Sequence, residues 1–243
     1  MQFTVSARGK EARQPIQQFI KFNFPDVPPG QIESFFGFAE ACTLYGGRFF
    51  TNPEISRYDL RSMYAMGINF RIPLTNHFVT ADEYESCRPF LDKHYRPGNS
   101  VIITNDELAR WIRSDYPDYR VEASVIKNIK SLNRIEQALE LYDTVILPMN
   151  ANEDEELLRS IPDKSRVTLF ANAGCALSCP SKICYTSVSR ANKSGDSSLW
   201  RCSQSIKPRD ILGMIDFDLD HLQSLGFQRF KLLRARPGQK TGF

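Results

Sequence analysis

The chain predicts an α/β fold, a (β/α) barrel of the TIM type, on three observations. Short runs rich in β-branched residues alternate with segments of helical period, the alternation repeats at roughly 25 to 30 residues, and about seven such units fit into 243 residues. A doubly wound open sheet has the same rhythm, but seven or eight units in ~250 residues suit a barrel better. With a leading segment set aside the chain is slightly short, so the expectation includes an incomplete barrel with one unit missing or replaced.

That leading segment is residues 1–40, read as an N-terminal appendage. A polar stretch of helical character runs to about Lys21, and Phe24-Pro-Asp-Val-Pro-Pro-Gly30 breaks any regular element. The barrel domain is expected over 41–243, with strands at 41–45, 68–74, 100–104, 119–124, 144–148, 166–171 and 228–233. The first helix, 53–66, has Asn52 to cap it, Pro53 for its first turn, Leu60, Met63 and Tyr64 at helical spacing, and Gly67 to stop it. Further helices are expected at 81–95, 106–115, 132–141, 153–160 and 208–225. In a barrel the chemistry belongs to the loops after the strands. Those loops carry Gly46, Gly47 and Arg48, then Asn76 and His77, Asn105 and Asp106, Asn128, Asn150, and finally Asn172 with a group of cysteines. Asp106 reads as a helix cap, and Asn150 and Asn152 suit the same role.

Composition excludes more than it selects. Lys+Arg number 31 against 28 Asp+Glu, and the resulting +3 is too small to argue for nucleic-acid binding. No basic segment followed by an apolar one opens the chain, and no window approaches the ~20 apolar residues of a membrane span, so a soluble, cytoplasmic protein without a membrane role is expected. In that reducing setting clustered cysteines favour metal ligation over disulfides.

Four of the six cysteines, Cys175, Cys179, Cys184 and Cys202, cluster near the end of the chain, while Cys42 and Cys87 stand apart. Structural zinc would accept four thiolates at ~2.3 Å, but its ligands usually arrive as short paired hooks, and the gaps here are three, four and seventeen residues. A radical-SAM site needs a tighter triplet with its fourth iron open. A [4Fe-4S] cluster takes ligands from irregularly spaced loops, and soft thiolates suit its iron. The spacing therefore favours [4Fe-4S] over zinc.

At these residues the chain resembles the collagenase-like peptidase family, the U-thirty-two group. The pieces are Leu44-Tyr-Gly-Gly-Arg48, the run 59–75 ending Gly67-Ile-Asn-Phe-Arg-Ile-Pro-Leu-Thr75, the step Thr104-Asn105-Asp106, the segment 175–187, and the segment from Asp210 to Leu225-Gly-Phe-Gln-Arg-Phe-Lys231. They follow in the family's order over roughly residues 40–236. The family's closing Gly-Arg is replaced by Leu232-Leu-Arg-Ala-Arg236, and the Glu-rich lead into its first cysteine by Phe170-Ala-Asn-Ala-Gly174.

The resemblance implies one of two activities. Members are described as peptidases, and an iron–sulfur branch is linked to oxygen-independent hydroxylation of ubiquinone precursors or RNA bases. That branch's four cluster ligands carry over to Cys175, Cys179, Cys184 and Cys202. A peptidase needs an activated nucleophile or metal-bound water, and no H-E-x-x-H or G-x-S-x-G signature is present. The expectation is therefore an iron–sulfur protein that modifies an aromatic ring or nucleobase. Glu122, His77 and Lys231 are its catalytic candidates, and Arg48, Arg71, Asn76, Asn105, Asn128 and Asn172 its substrate-binding ones. An electron donor is implied, RNA is a candidate substrate through the basic stretch 231–240, and an incomplete barrel would call for a protein partner or a second copy to cover its edge. A non-catalytic metal-binding subunit is the third reading.

Overall fold

The computed structural model describes residues 1–179, 181–204 and 215–233. Its main strands are β1 (Gln2–Ser6), β2 (Ile32–Phe36), β3 (Asn69–Leu74), β4 (Ser100–Ile103), β5 (Arg120–Ala123), β6 (Thr144–Ile146), β7 (Val167–Phe170) and β10 (Arg229–Leu232). All eight pair in parallel and close in the order β1-β10-β7-β6-β5-β4-β3-β2. Between them run α1 (Ile16–Asn23), α2 (Arg57–Ala65), α3 (Ala81–His94), α4 (Asp106–Asp115), α5 (Leu132–Leu141), α6 (Glu155–Ser160) and α8 (Leu219–Ser224). This is the closed (β/α) barrel.

Three expectations are corrected. Residues 1–40 are no appendage: they supply β1, α1 and β2, and β1 bonds to both β10 and β2. In β1 the apolar Phe3 and Val5 join the core outside the barrel while the polar Thr4 and Ser6 face inward, and this alternation hides the strand in a polar-looking run. The 41–45 run is a loop, not a strand. Its Leu44 and Tyr45 are buried because the loop folds over the barrel's end. The barrel is also complete, so the open edge expected to call for a partner does not exist, since closure leaves each main strand paired on both sides.

The remaining strands and helices fall within a few residues of expectation, apart from two starts. Ser56, with a reciprocal bond to Asp59, caps α2 in place of Asn52. The helix expected at 208–225 is α8, preceded by the short β9 (Ile215–Asp216), and 208–214 lies outside the described residues. The seventh unit is enlarged. After β7 comes β8 (Asn172–Ala173), antiparallel to β9, and between these two lies an insertion holding the cysteine loop and α7 (Cys184–Ser194). No described helix is long and apolar enough to cross a membrane.

Alternation along the strands stacks the barrel interior in layers. At the amino ends Glu33 holds Arg120 at 2.9 Å and Arg229 at 2.8 Å. Above it Arg71 pairs with Glu122, which also accepts from Thr144 Oγ1 at 2.8 Å. Next comes an apolar layer of Phe36, Ile102, Ile146 and Phe170. It seals the charged layers from the mouth above.

Candidate functional site

The carboxyl ends of the strands surround a cavity of about 170 Å³. Phe36, Ile102 and Phe170 come from the apolar layer, Ser6, Pro73, Ser124 and Lys231 from the strand ends, and Gly46 to Arg48 and Tyr185 from the segments folded over them. Gly46 is required by contact: a Cβ there would sit 2.3 Å from the carbonyl oxygen of Thr75, at the end of β3. Gly47 holds a φ of 76° beside it. The two glycines let the loop press onto the barrel end and bring Arg48 to the cavity.

Among the described residues no Asp or Glu lines this cavity. Lys231, 7 % exposed, points its Nζ at the ring of Phe36, 4.3 Å from the centroid, and has Phe170 at 5.8 Å. Burial, reinforced by the charges of Arg71 and Arg48, lowers its ammonium to about 7. Arg48 is already engaged: it clasps both carboxylate oxygens of Glu54 and lies 4.0 Å over Phe38. Among the described residues Lys231 thus has aromatic rather than anionic company.

Cys175 lines the same cavity, directly after the β8 turn. Cys179 lies further along the loop, where its Sγ accepts the Lys182 N–H at 3.4 Å and lies 3.4 Å from Ser203 Oγ. Burial raises the Cys179 thiol, and these bonds with the Ser181 N–H outweigh it to give a net lowering. Cys184 opens α7, and Cys202 follows the short turn Ser197–Leu199. Burial first, and then the nearness of Cys175, Cys179 and Cys202, pushes Cys184 up to about 11. The folded chain therefore gathers all four thiols into one neighbourhood. Among the described residues no three Cys, His, Asp or Glu side chains are drawn to the spacing of a single ion.

The insertion is clamped across the mouth by α7. Asn76 Nδ2 donates to the carbonyls of Thr43 at 2.8 Å, Tyr45 at 3.0 Å and Ser189 at 3.0 Å. Asn192 Nδ2 reaches the carbonyls of Tyr45 and Arg48, and Lys193 pairs with Glu83 of α3. A cleft of 470 Å³ on the outer side of this lid is lined by His77, Asn128, Asn150 and Cys179 and shares Tyr185 with the mouth. On the other side a groove of 940 Å³ shares Arg8 and Arg48 with it.

The predicted site residues separate into groups. Arg48, Lys231 and Cys175 reach the mouth, and His77, Asn128 and Cys179 the cleft. Glu122 faces inward but lies in the charged layer beneath the seal, locked to Arg71, and neither lines the cavity. Asn76 is a wholly buried clip, and Asn172, equally buried, accepts from the Leu233 N–H at 2.9 Å. Asn105 caps α4, accepting from the amides of Glu107 and Leu108, so Asp106 is not the cap and instead holds Lys127 and Tyr142. His77 Nδ1 lies 3.1 Å from Ser189 Oγ, burial lowers its pKa, and no carboxylate reaches it among the described residues. Ser189 is wholly buried and its hydroxyl is spent on the Tyr185 carbonyl at 3.0 Å. Ser6, Arg8 and Tyr185 were not anticipated. The run Gln2-Phe-Thr-Val-Ser6, read by its period of two, is the signal that finds the first two.

Fold and site together define a (β/α)-barrel protein with a thiol-bearing lid over its carboxyl-end mouth. No family model matches the chain, and no curated protein does either. The chain is similar in fold to the solved structure of the U32 peptidase Mk0906, with a TM-score of 0.66 over 98% of this chain and 94% of that one, at 13% identity. The likeness shows the (β/α) barrel fold that the βα rhythm implied.

Proposed function

We propose that this protein is an iron–sulfur enzyme, with Cys175, Cys179, Cys184 and Cys202 as the ligands of a [4Fe-4S] cluster. The cavity beside them takes an aromatic ring or nucleobase for oxygen-independent hydroxylation or a related modification. The observation that carries this is the gathering of four thiols in one neighbourhood, one of which, Cys175, lines an aromatic cavity with no Asp or Glu among the described residues. When bound, the cluster supplies one-electron transfer. An external electron donor is required.

The chain's own residues supply the rest. Phe36, Phe38, Phe170 and Tyr185 offer faces and edges for a flat ring, and Met149 and Ile102 keep water out. Lys231, poised at about 7, can hold or release a proton at Nζ at physiological pH, beside whatever oxygen the ring carries. Arg8 and Arg48 are shared with the larger groove, where Arg48 is paired with Glu54, and RNA stands as a candidate substrate beside a small one.

Anaerobic purification tests the reading. A brown protein with a broad visible band and matching iron and acid-labile sulfide is expected, and Cys202→Ser should lose most of that iron. A colourless, zinc-loaded protein would sink it. Salt-dependent RNA binding separates a nucleic-acid substrate from a small aromatic one.

A second reading, a peptidase, is favoured by the solved U32 peptidase with the same fold. Its nearest nucleophile–base pair is Ser189 with His77, and the burial of Ser189 counts against it. Cleavage of gelatin by the metal-free protein, abolished in Ser189→Ala, would establish it.

A further inference from the structure

Away from the lid, the two remaining cysteines meet. Cys42 lies in the segment joining β2 to α2 and Cys87 in the middle of α3, yet their sulfurs are 3.4 Å apart. We propose that Cys42 and Cys87 form a redox-active dithiol, a modification site that closes to a disulfide and tethers the mouth loop to α3.

Cys87 belongs to the apolar core with Cys42 packed against it, yet polar donors also reach its sulfur. Thr43 Oγ1 lies 3.9 Å from Cys87 Sγ, and the backbone amides of Thr43 and Leu44 also bond to that sulfur. Such donors favour a thiolate. The contact with Cys42 does so most, and Cys87 is drawn down to about 6, while Cys42, bonded to it, is pushed up. The two titrate as a pair, one sulfur holding the proton the other gives up. Cys87 is buried, at 8 % exposed, and Cys42 beside it is partly exposed, so a small oxidant reaches the Cys87 sulfur from the Cys42 side.

The step needs an oxidant, and a low-molecular-weight disulfide of the glutathione class supplies it. The Cys87 thiolate attacks one of its sulfurs, forming a mixed disulfide and expelling one thiolate. Cys42 then attacks Cys87 Sγ, forming the protein disulfide and expelling the second. The protein loses two electrons and two protons, and the small disulfide becomes two thiols. The tether falls four residues before Gly46, in the loop that carries Arg48 to the cavity, so oxidation stiffens one wall of the mouth.

Trypsin places the two cysteines on separate peptides, 22–48 and 72–93, each with a single cysteine and neither containing a member of the quartet. After titration of the full chain with oxidised glutathione and blocking of residual thiols, the two should appear as one cross-linked species, lighter by two hydrogens than their sum. Dithiothreitol should separate them, and the oxidised protein should melt about 5 °C or more above the reduced one. In Cys42→Ser, Cys87 should instead be trapped with one glutathione. Both peptides recovered with blocked, unlinked cysteines at a glutathione potential that oxidises free dithiothreitol would overturn the proposal. So would separate glutathione adducts on the two cysteines of the unsubstituted chain. Because the reading is peptide-specific, it stands or falls independently of the metal content of Cys175 to Cys202.

Discussion

The barrel's lower interior and its mouth treat buried charge in opposite ways. Below the apolar layer each cation has an anion: Glu33 serves Arg120 and Arg229, and Glu122 serves Arg71. Burial alone would raise Glu33, yet Arg229, Arg71 and Arg120 together hold it below the usual carboxylate range. Burial likewise draws Arg71 down, but only to about 9, so its guanidinium stays charged at neutral pH beside Glu122. Above the layer, among the described residues, Lys231 has aromatic rings in place of a carboxylate, and four thiols share one neighbourhood. Compensated charge holds the scaffold. At the mouth the proposed ligand would complete the balance.

The sharpest way to break this contrast is at the compensated layer. Arg71→Met leaves Glu122 buried and unpaired and should cost about 3–5 kcal/mol in denaturant unfolding, whereas Arg71→Met with Glu122→Leu should recover most of the loss. An equally destabilised double variant would mean the pair contributes more than mutual neutralisation.

A smaller effect belongs to the clamp. Asn76→Ala removes three bonds to buried carbonyls and should cost about 2–3 kcal/mol. Hydrogen exchange should rise in α7 and in the loop 43–48 before it rises in the strands. Uniform exchange would show that the lid and barrel open as one unit.

The last effect is read as a slope, small over any one pH unit. Folded Lys231 gives up its proton near pH 7, while the unfolded chain keeps it to about 10.5. Between those values the unfolded state binds the extra proton, so this group makes stability rise with pH, by at most about 1.4 kcal/mol per pH unit. Melting temperatures from pH 7 to 10 should show that rise, and Lys231→Met should flatten it. A slope unchanged by the substitution would place the titration elsewhere.

How far the sequence could be read follows from where its information is local. Helices 106–115 and 132–141 are found to the residue, because period and flanking breaks are contained within each segment. Six of the seven expected strands coincide with barrel strands, because buried parallel strands are short apolar runs between turns. The first two strands escaped because half of β1 faces the polar barrel interior and β2 follows directly on a Pro-Pro-Gly break. The apolar Leu44 and Tyr45 then passed for a strand, since a loop packed against the barrel end buries the same residue types. Among site residues, the polar loop positions were legible as a set but not by role. Asn76, Asn105 and Asn172 are anchors and a cap, and Asn128 lines a cleft, although all four share one side chain.

The sequence by itself determined the βα alternation, the barrel class and the clustering of Cys175, Cys179 and Cys184, because these depend on period and on neighbours along the chain. Tertiary structure alone decided the closure through β1, the return of Cys202 to the quartet, the sealing of Glu122 away from the mouth, and the meeting of Cys42 with Cys87. Each of those joins residues far apart in the chain. Their contact energies exist only once the barrel has closed.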